Sequence, residues 1–402
     1  MKGIYFMKIQ NQIALLLSLF FSIAPLAPAQ NSVFYASESD SSFLLPDFGL
    51  QVSQLSFIKN NEYFNDISDG LTLLGAQVHP EFIYKPSERT QFRSGLFLFK
   101  HFGEESIDKA IPTFSFKYVN DKHRFTIGNL FVRDNHRMIE PMMASEKLLS
   151  SDVLESGIAY QYTSMKVRSE LWLDWENYIR KQDNEREVFT LGSVSRVTIS
   201  DHLSLPIQFL LQHKGGQINK RYNSDTKNSA GTSNAWNASL GIEYKLLNFL
   251  NNEFLLSYYF LHHQTASNLL EYPFEKGDAH YLTLNYKLKD VNFLLGYYQA
   301  DQFVSLKGNE MFQTYSQKTN INYWNGVLDQ TYSALTEPDR ELMFTKLFYE
   351  KILAPKVKLG IQWEGFLQLN DSSPSLATEK NKKHQLDHSF GIYIIFNDVF
   401  EL

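Results

Sequence analysis

The 402-residue sequence predicts an all-β fold: a transmembrane antiparallel β-barrel of about 16 strands, within two either way, with short periplasmic turns and long extracellular loops. Three observations predict it. Apolar and polar residues alternate over segment after segment. The links between those segments alternate between short and long. An export signal precedes a chain that is rich in aromatic residues and free of cysteine.

The N-terminus reads MKGIYFMKIQNQIALLLSLFFSIAPLAPAQ. Lys2 and Lys8 supply the positive region, 13–23 the apolar run, and Ala27-Pro28-Ala29 a small-x-small cleavage site. Residues 1–29 are therefore expected to be a signal peptide, and 30–402 a single barrel domain in the outer membrane of a bacterium. The absence of cysteine excludes a lipoprotein anchor, disulfides and thiolate metal sites. Cutting after Ala29 leaves 373 residues, with 36 basic against 44 acidic side chains and a net charge near −8. Such a balance disfavours nucleic acid as a partner. The chain holds 32 Phe and 22 Tyr, yet its mean hydropathy is only −0.30. No apolar run after the signal reaches the ~18 residues of a spanning helix. A barrel strand needs only one apolar face, which reconciles the two facts.

In chain order the alternating segments are 48–58, the weakest, then 71–84, 91–102, 110–119, 123–133, 154–164, 165–179 and 187–200. They continue with 202–213, 235–247, 252–263, 279–289, 291–302, 342–353, 356–369 and 385–396. Asn120-Asp121-Lys122, Ser200-Asp201 and Lys289-Asp290 are short polar links of the kind that make tight turns. Between such turns lie the long links 134–152, 215–234, 264–278 and 303–341. Loops sorted by length in this way are expected of a barrel with one end in the periplasm.

The segment VRSELWLDWENY (167–178) shows the two faces. Val167, Ser169, Leu171, Leu173 and Trp175 form a mostly apolar row, and Arg168, Glu170, Trp172, Asp174 and Glu176 a mostly charged one. The same alternation runs through Trp236, Ala238, Leu240, Ile242 and Tyr244, and through Val357, Leu359, Ile361 and Trp363. Aromatics at the ends of these rows suit the headgroup level of a bilayer. The apolar rows are expected to meet lipid and the charged rows to line the interior. At the C-terminus His388, Phe390, Ile392, Ile394, Phe396, Asp398, Phe400 and Leu402 share one parity. That is similar to the closing strand read by the barrel-assembly machinery, with Asp398 and the terminal Leu as departures.

Four stretches carry a wider resemblance: NNEYFNDISDGLTLLGAQVHPEFIY (60–84), GNLFVRDNHRMIEPMMASEK (128–147), LESGIAYQY (154–162) and LWLDWENYIRKQDNEREVFTLG (171–192). They resemble a porin-like outer-membrane barrel family of the Bacteroidetes type, whose members are largely uncharacterised. The resemblance covers roughly the first half of the mature chain. It implies an outer-membrane location and supplies no catalytic residues.

Arg168, Glu170, Trp172, Asp174 and Glu176 are candidate pore-lining residues, or else an internal ion-pair network bracing the wall. Trp172 reads as a sugar-stacking platform or, preferably, as a ring packed beneath an inward loop. Arg133, His136, Arg137, Glu140 and Glu146 stand in the loop 134–152 or at its edge, with Met142 and Met143. They could form a constriction or a ligand site; an ordinary extracellular loop with methionines on the rim is the plainer reading. His262 and His263 point to opposite faces, and His384 and His388 lie ~13 Å apart in a strand, so neither pair makes a metal site. Barrel enzymes resembling outer-membrane phospholipases or lipid A deacylases carry a His-x-Ser motif. The nearest match, His202-Leu203-Ser204, falls at a short turn facing the periplasm.

The functional expectation is a porin-like channel for passive diffusion of small polar solutes, and not an enzyme. The alternatives are a scaffold that binds a ligand or anchors a complex through 134–152 and 303–341, and, behind it, a lipid hydrolase. No cofactor or metal is expected. Outer-membrane lipid, the assembly machinery and, by analogy with porins, further copies of the chain are the expected partners.

Overall fold

The structure is a computed structural model that describes residues 47–402 apart from 66, 132–135, 181–185, 216–231, 250–251, 268–271, 317–319, 325–326, 332–335 and 371–385. The expected signal peptide lies outside the described residues. The first eight wall strands are β1 (Phe48–Glu62), β2 (Thr72–Ser87), β3 (Thr90–His101), β4 (Lys109–Asn120), β5 (His123–Phe131), β6 (Leu154–Thr163), β7 (Val167–Asn177) and β8 (Glu187–Thr198). The wall continues with β9 (Leu203–Gly215), β10 (Ser233–Phe249), β11 (Asn252–Ser267), β12 (Lys276–Leu288) and β13 (Val291–Asp301). Two short strands, β14 (Asn320–Trp324) and β15 (Val327–Thr331), pair only with each other. The wall ends with β16 (Asp339–Ala354), β17 (Val357–Gln368) and β18 (Leu386–Glu401).

Among the described residues, sixteen strands form one closed antiparallel barrel in which each neighbours the next and β1 pairs with β18. All sixteen expected segments are strands. The weakest of them, 48–58, is the seam strand and runs on to Glu62. Asp398 lies inside the last strand, opposite Val52, so the departure in the closing pattern does not end the strand. The link expected over 264–278 is shorter, because β11 continues to Ser267 and β12 begins at Lys276. Polar residues continue the ladder there because a rim in water imposes no apolar face.

The two-faced strand β7 settles which side is which. Leu171 is 48% exposed and Trp175 36%, whereas Trp172 is 1% exposed. Phe82, Phe114, Leu240, Leu282, Leu347 and Phe390 belong to the same outward row on other strands and are exposed. Hydrocarbon is the solvent that suits a band of this kind, and closure leaves no unpaired strand edge in it. Gly192 stands directly opposite Trp172, and a Cβ there would come within 2.0 Å of the indole. Only glycine lets that ring lie flat against β8.

The interior is packed. A barrel of this size encloses more space than wall side chains fill. Two links fold inward to fill it: 136–153, between β5 and β6, and 302–316, after β13. Met138, Ile139, Met142, Leu148 and Leu149 of the first and Phe303, Met311 and Phe312 of the second are buried. They cover interior-facing Phe97, Phe99, Phe344, Phe366 and Tyr393. The two links also bond to each other. Ala144 N donates to Lys307 O at 2.8 Å, Asn309 N to Glu140 O at 3.0 Å, and Ser305 Oγ to Pro141 O at 2.6 Å. The reading of 134–152 as an ordinary rim loop is corrected: Met142 is wholly buried inside the barrel. The apolar interior rings need cover, and this loop carries the side chains that supply it.

Candidate functional site

Three groups of polar side chains stand together in the barrel, two in its interior and one on its outer face. The first centres on His136. Its Nδ1 lies 2.9 Å from Glu170 Oε1 and its Nε2 2.6 Å from Glu155 Oε2. Its backbone N–H donates to Glu170 Oε2 at 3.0 Å, and its ring stacks on Trp172 with centroids 3.8 Å apart. Carboxylates only accept, so both ring nitrogens carry protons and the imidazole has no free lone pair for catalysis. The residue sits at φ +59°, a left-handed conformation that such a clamp can hold. Lys147 Nζ also bonds Glu155.

Burial alone would lower the His136 pKa; the carboxylates of Glu155 and Glu170 outweigh it and push the group from 6.5 up to about 9. The stability it contributes is thus fully present below about 6.5 and lost as pH rises through about 9. Thermal unfolding followed from pH 6 to 10 should show wild type losing stability over that window relative to His136→Asn. Parallel profiles for the two proteins would reject the clamp.

The expected pore-lining row does face the interior, but its centre is tied into packing. Glu170 and Asp174 are 7% exposed, Asp174 accepts Ser156 N–H at 2.9 Å, and Glu176 pairs with Lys307 at 2.7 Å. Arg168, nearer the short turns, is exposed. Trp172 lies beneath the inward loop, as preferred. Of the loop candidates, Arg133 lies outside the described residues and Arg137 is half-buried. Glu140 and Glu146 instead reach the second interior group. There Glu364 meets Lys346 at 2.6 Å and Lys59 at 2.8 Å, while Glu146 meets Lys59 at 2.6 Å and Glu140 meets Lys346 at 3.4 Å. Both interior groups hold loops against wall.

The third group is on the outside. His262 and His263 do point to opposite faces, His263 into the core and His262 outward. Asp278 stands opposite His262 across the β11–β12 pair, with Nδ1 and Oδ1 2.6 Å apart. Asp278 accepts, so Nδ1 donates and Nε2 keeps the lone pair. The His262 side chain is half-buried at 31% and that of Asp278 is exposed at 52%. Trp236 lies 5.2 Å from the His262 ring, and the neighbouring Tyr258 OH is 2.8 Å from His280 Nδ1. His262 is near the Ser267 end of β11, where the link to Lys276 is longer than the one between Phe249 and Asn252 at the other end, so the pair sits at the extracellular edge of the lipid-facing surface. Sequence reasoning missed Asp278 because its pairing depends on cross-strand register. His202-Leu203-Ser204 is at the short β8–β9 turn as expected, where Ser204 Oγ donates to Glu243 and not to the histidine. His384 lies outside the described residues.

Among solved structures, OccAB4 of Acinetobacter baumannii is similar with 9% identity and a TM-score of 0.52, over 90% of this chain and 100% of that one. OpdQ of Pseudomonas aeruginosa is similar with 10% identity and a TM-score of 0.50, over 89% of this chain and 99% of that one. At these identities the likeness establishes the barrel fold. No curated protein matches. The family model that matches spans residues 42–402 and is described as lipid A 3'-O-deacylase-type. A family described by an enzymatic activity overturns the expectation that the chain is not an enzyme. With residues 42–402 inside that match and a closed barrel bearing an apolar outer face, the chain is an outer-membrane barrel that belongs to the lipid A 3'-O-deacylase-type family.

Proposed function

We propose that the protein hydrolyses acyl esters of outer-leaflet lipids, using His262 as the general base and Asp278 to orient it. The observation that carries this reading is the outward-facing His262–Asp278 pair on the lipid-facing wall, 2.6 Å apart, at the extracellular edge. The family description, lipid A 3'-O-deacylase-type, supports the same substrate class. The outward row of the wall is the surface that meets lipid.

The chemistry follows from the pair. Water placed between His262 Nε2 and an ester carbonyl gives up a proton to the imidazole as its oxygen attacks the carbonyl carbon. Asp278 remains ionised and stabilises the imidazolium through Nδ1–H. Collapse of the tetrahedral intermediate breaks the bond to the alcohol oxygen, and the imidazolium returns its proton to that leaving group. The products are a fatty acid and a free hydroxyl on the lipid. Trp236 lies beside the His262 ring, and Phe260, two residues before His262 on the same outward face, packs on His280; both rings suit the headgroup boundary. The test is fatty-acid release from lipid A in mixed micelles, read by mass spectrometry, with wild type and His262→Gln side by side. Release that is equal in both would sink the assignment.

A further inference from the structure

The closed ladder is not equally tall at every joint. Among the described residues, β4 and β5 pair from the short turn between Asn120 and His123 up to Ser115 and Gly128, and no further. Above that level β4 stays bonded to β3, from Phe114 to Lys109, and β5 stays bonded to β6, from Asn129 to Phe131. At Pro80 and at Pro206 a ladder also lapses for two pairs, but there it resumes.

Two residues make the stop. Gly128 takes φ +108°, and a Cβ there would come within 2.1 Å of Phe114 O, so only glycine lets β5 turn aside at this point. On β4 the Phe114 N–H points toward β5, and in an antiparallel strand every second residue points the same way. Pro112 is the next of these, and it has no N–H to offer. The Phe114 N–H is taken by the Asn129 side chain, whose Oδ1 accepts it at 2.8 Å. Neither residue therefore leaves a bare donor in hydrocarbon.

Beyond Gly128 the two strands part in depth. Phe131 shares the outward parity of Phe125 and Ile127, yet its ring lies 5.3 Å from His79 and 6.2 Å from Phe97, which face the interior from β2 and β3. Leu154, opposite Phe131 on β6, also packs on the buried core. The upper ends of β5 and β6 thus tuck inside β4, and the wall has a step on its lipid side, in the extracellular half. Phe114, 63% exposed, is the lip of the step, and the exposed Ile127 and Ile158 line the track below it. At the head of the track Asn129 and Ser156 are cross-strand partners, and Asn129 Nδ2 donates to Ser156 Oγ at 3.0 Å. One amide hydrogen of Asn129 and the hydroxyl hydrogen of Ser156 remain for a further acceptor.

We infer that this step binds one outer-leaflet lipid, with an acyl chain laid along β5 between Phe114 and Ile158 and the ester or amide carbonyl of that chain accepting from Asn129 and Ser156. Hydrocarbon itself supplies no acceptor for these two donors, and an acyl carbonyl is the acceptor that arrives with a chain attached. Neither side chain is charged, which suits a neutral linkage and not a phosphate. The step is six strands from the His262–Asp278 pair, roughly 29 Å around the wall at ~4.8 Å per strand, and it stands whether or not that pair is catalytic.

The probes are a diacyl phosphatidylethanolamine and its diether analogue, which lacks the carbonyls. Each is titrated into the full mature chain in detergent, and bound lipid is counted by native mass spectrometry. The chain carries His262→Gln throughout, so that no ester is consumed during the measurement. The ester lipid should bind about tenfold more tightly than the ether, as two hydrogen bonds contribute. Asn129→Ala with Ser156→Ala should abolish that preference. Ser156→Ala alone keeps the Asn129 bond to the Phe114 N–H, and with it the joint, and should lower the preference about threefold. Absent or equal binding of the two lipids, or a preference unchanged in either variant, overturns the inference.

Discussion

His262→Gln is expected to lower acyl-ester hydrolysis about 10²–10⁴-fold, the usual contribution of a positioned general base. Glutamine has similar length and polarity and keeps a donor toward Asp278, so the wall should fold unchanged. What it lacks is a basic nitrogen to take the proton from water. Asp278→Asn should also slow the reaction, because an amide can donate to Nδ1 and so favour the wrong tautomer. Its loss should appear mainly in kcat, since the ester itself does not touch Asp278. Tyr258→Phe removes the hydrogen bond to His280. It should leave the rate within a few-fold, because that pair is not bonded to His262. A rate that survives His262→Gln but falls with Tyr258→Phe would move the chemistry to the neighbouring strand position.

What the sequence disclosed and what it hid follow from the same periodicity. Lipid on one side of a strand and protein on the other leave a two-residue repeat wherever the outer face is continuous, so every wall strand could be read. Even the seam was visible, through Phe390, Ile392 and Ile394 on the outer row of β18. Parity names a face but not what covers it. Glu170 and Trp172 were assigned correctly to the interior, yet nothing within β7 reports that His136 lies on both. Signals of cover did exist. Phe97, Phe99, Phe344 and Phe366 occupy rows that water would otherwise wet, and the loop with Met138, Ile139, Met142, Leu148 and Leu149 is apolar enough to meet them. The contrasting loop 215–234 has almost no such residues. The His262–Asp278 contact was beyond reach for another reason: it depends on the register between two strands whose ends the local pattern does not fix.

Glu364→Ala should destabilise the barrel by about 3–5 kcal/mol, the cost of leaving buried partners of an ion pair without their counter-charge. Glu364 is wholly buried, and its carboxylate serves Lys346 of β16, Lys59 of β1 and the Ser389 hydroxyl of β18 at 2.6, 2.8 and 2.9 Å. It therefore ties four consecutive strands across the seam. Its removal leaves two ammonium groups to Glu146 and Glu140 alone, and both of those belong to the inward loop. The loop carboxylates then match the two ammonium groups only in number: Lys346 keeps a contact of 3.4 Å in place of one of 2.6 Å, and the wall around the seam loosens with it. Denaturant unfolding in detergent, monitored by tryptophan fluorescence, gives the magnitude; a loss below about 1 kcal/mol would place the group among weakly coupled ion pairs. A companion variant distinguishes charge from shape. In a Glu140→Gln, Glu146→Gln background, which leaves no loop carboxylate unpaired, Lys59→Met, Lys346→Met and Glu364→Leu together remove every member of the wall triad while keeping much of its volume. If the penalty in Glu364→Ala comes from poorly compensated cations, the triple variant in that background should recover most of it. Should the triple variant be as unstable as the single one, the seam depends on the hydrogen bond to Ser389 and on packing, and the ion pairs are only its consequence.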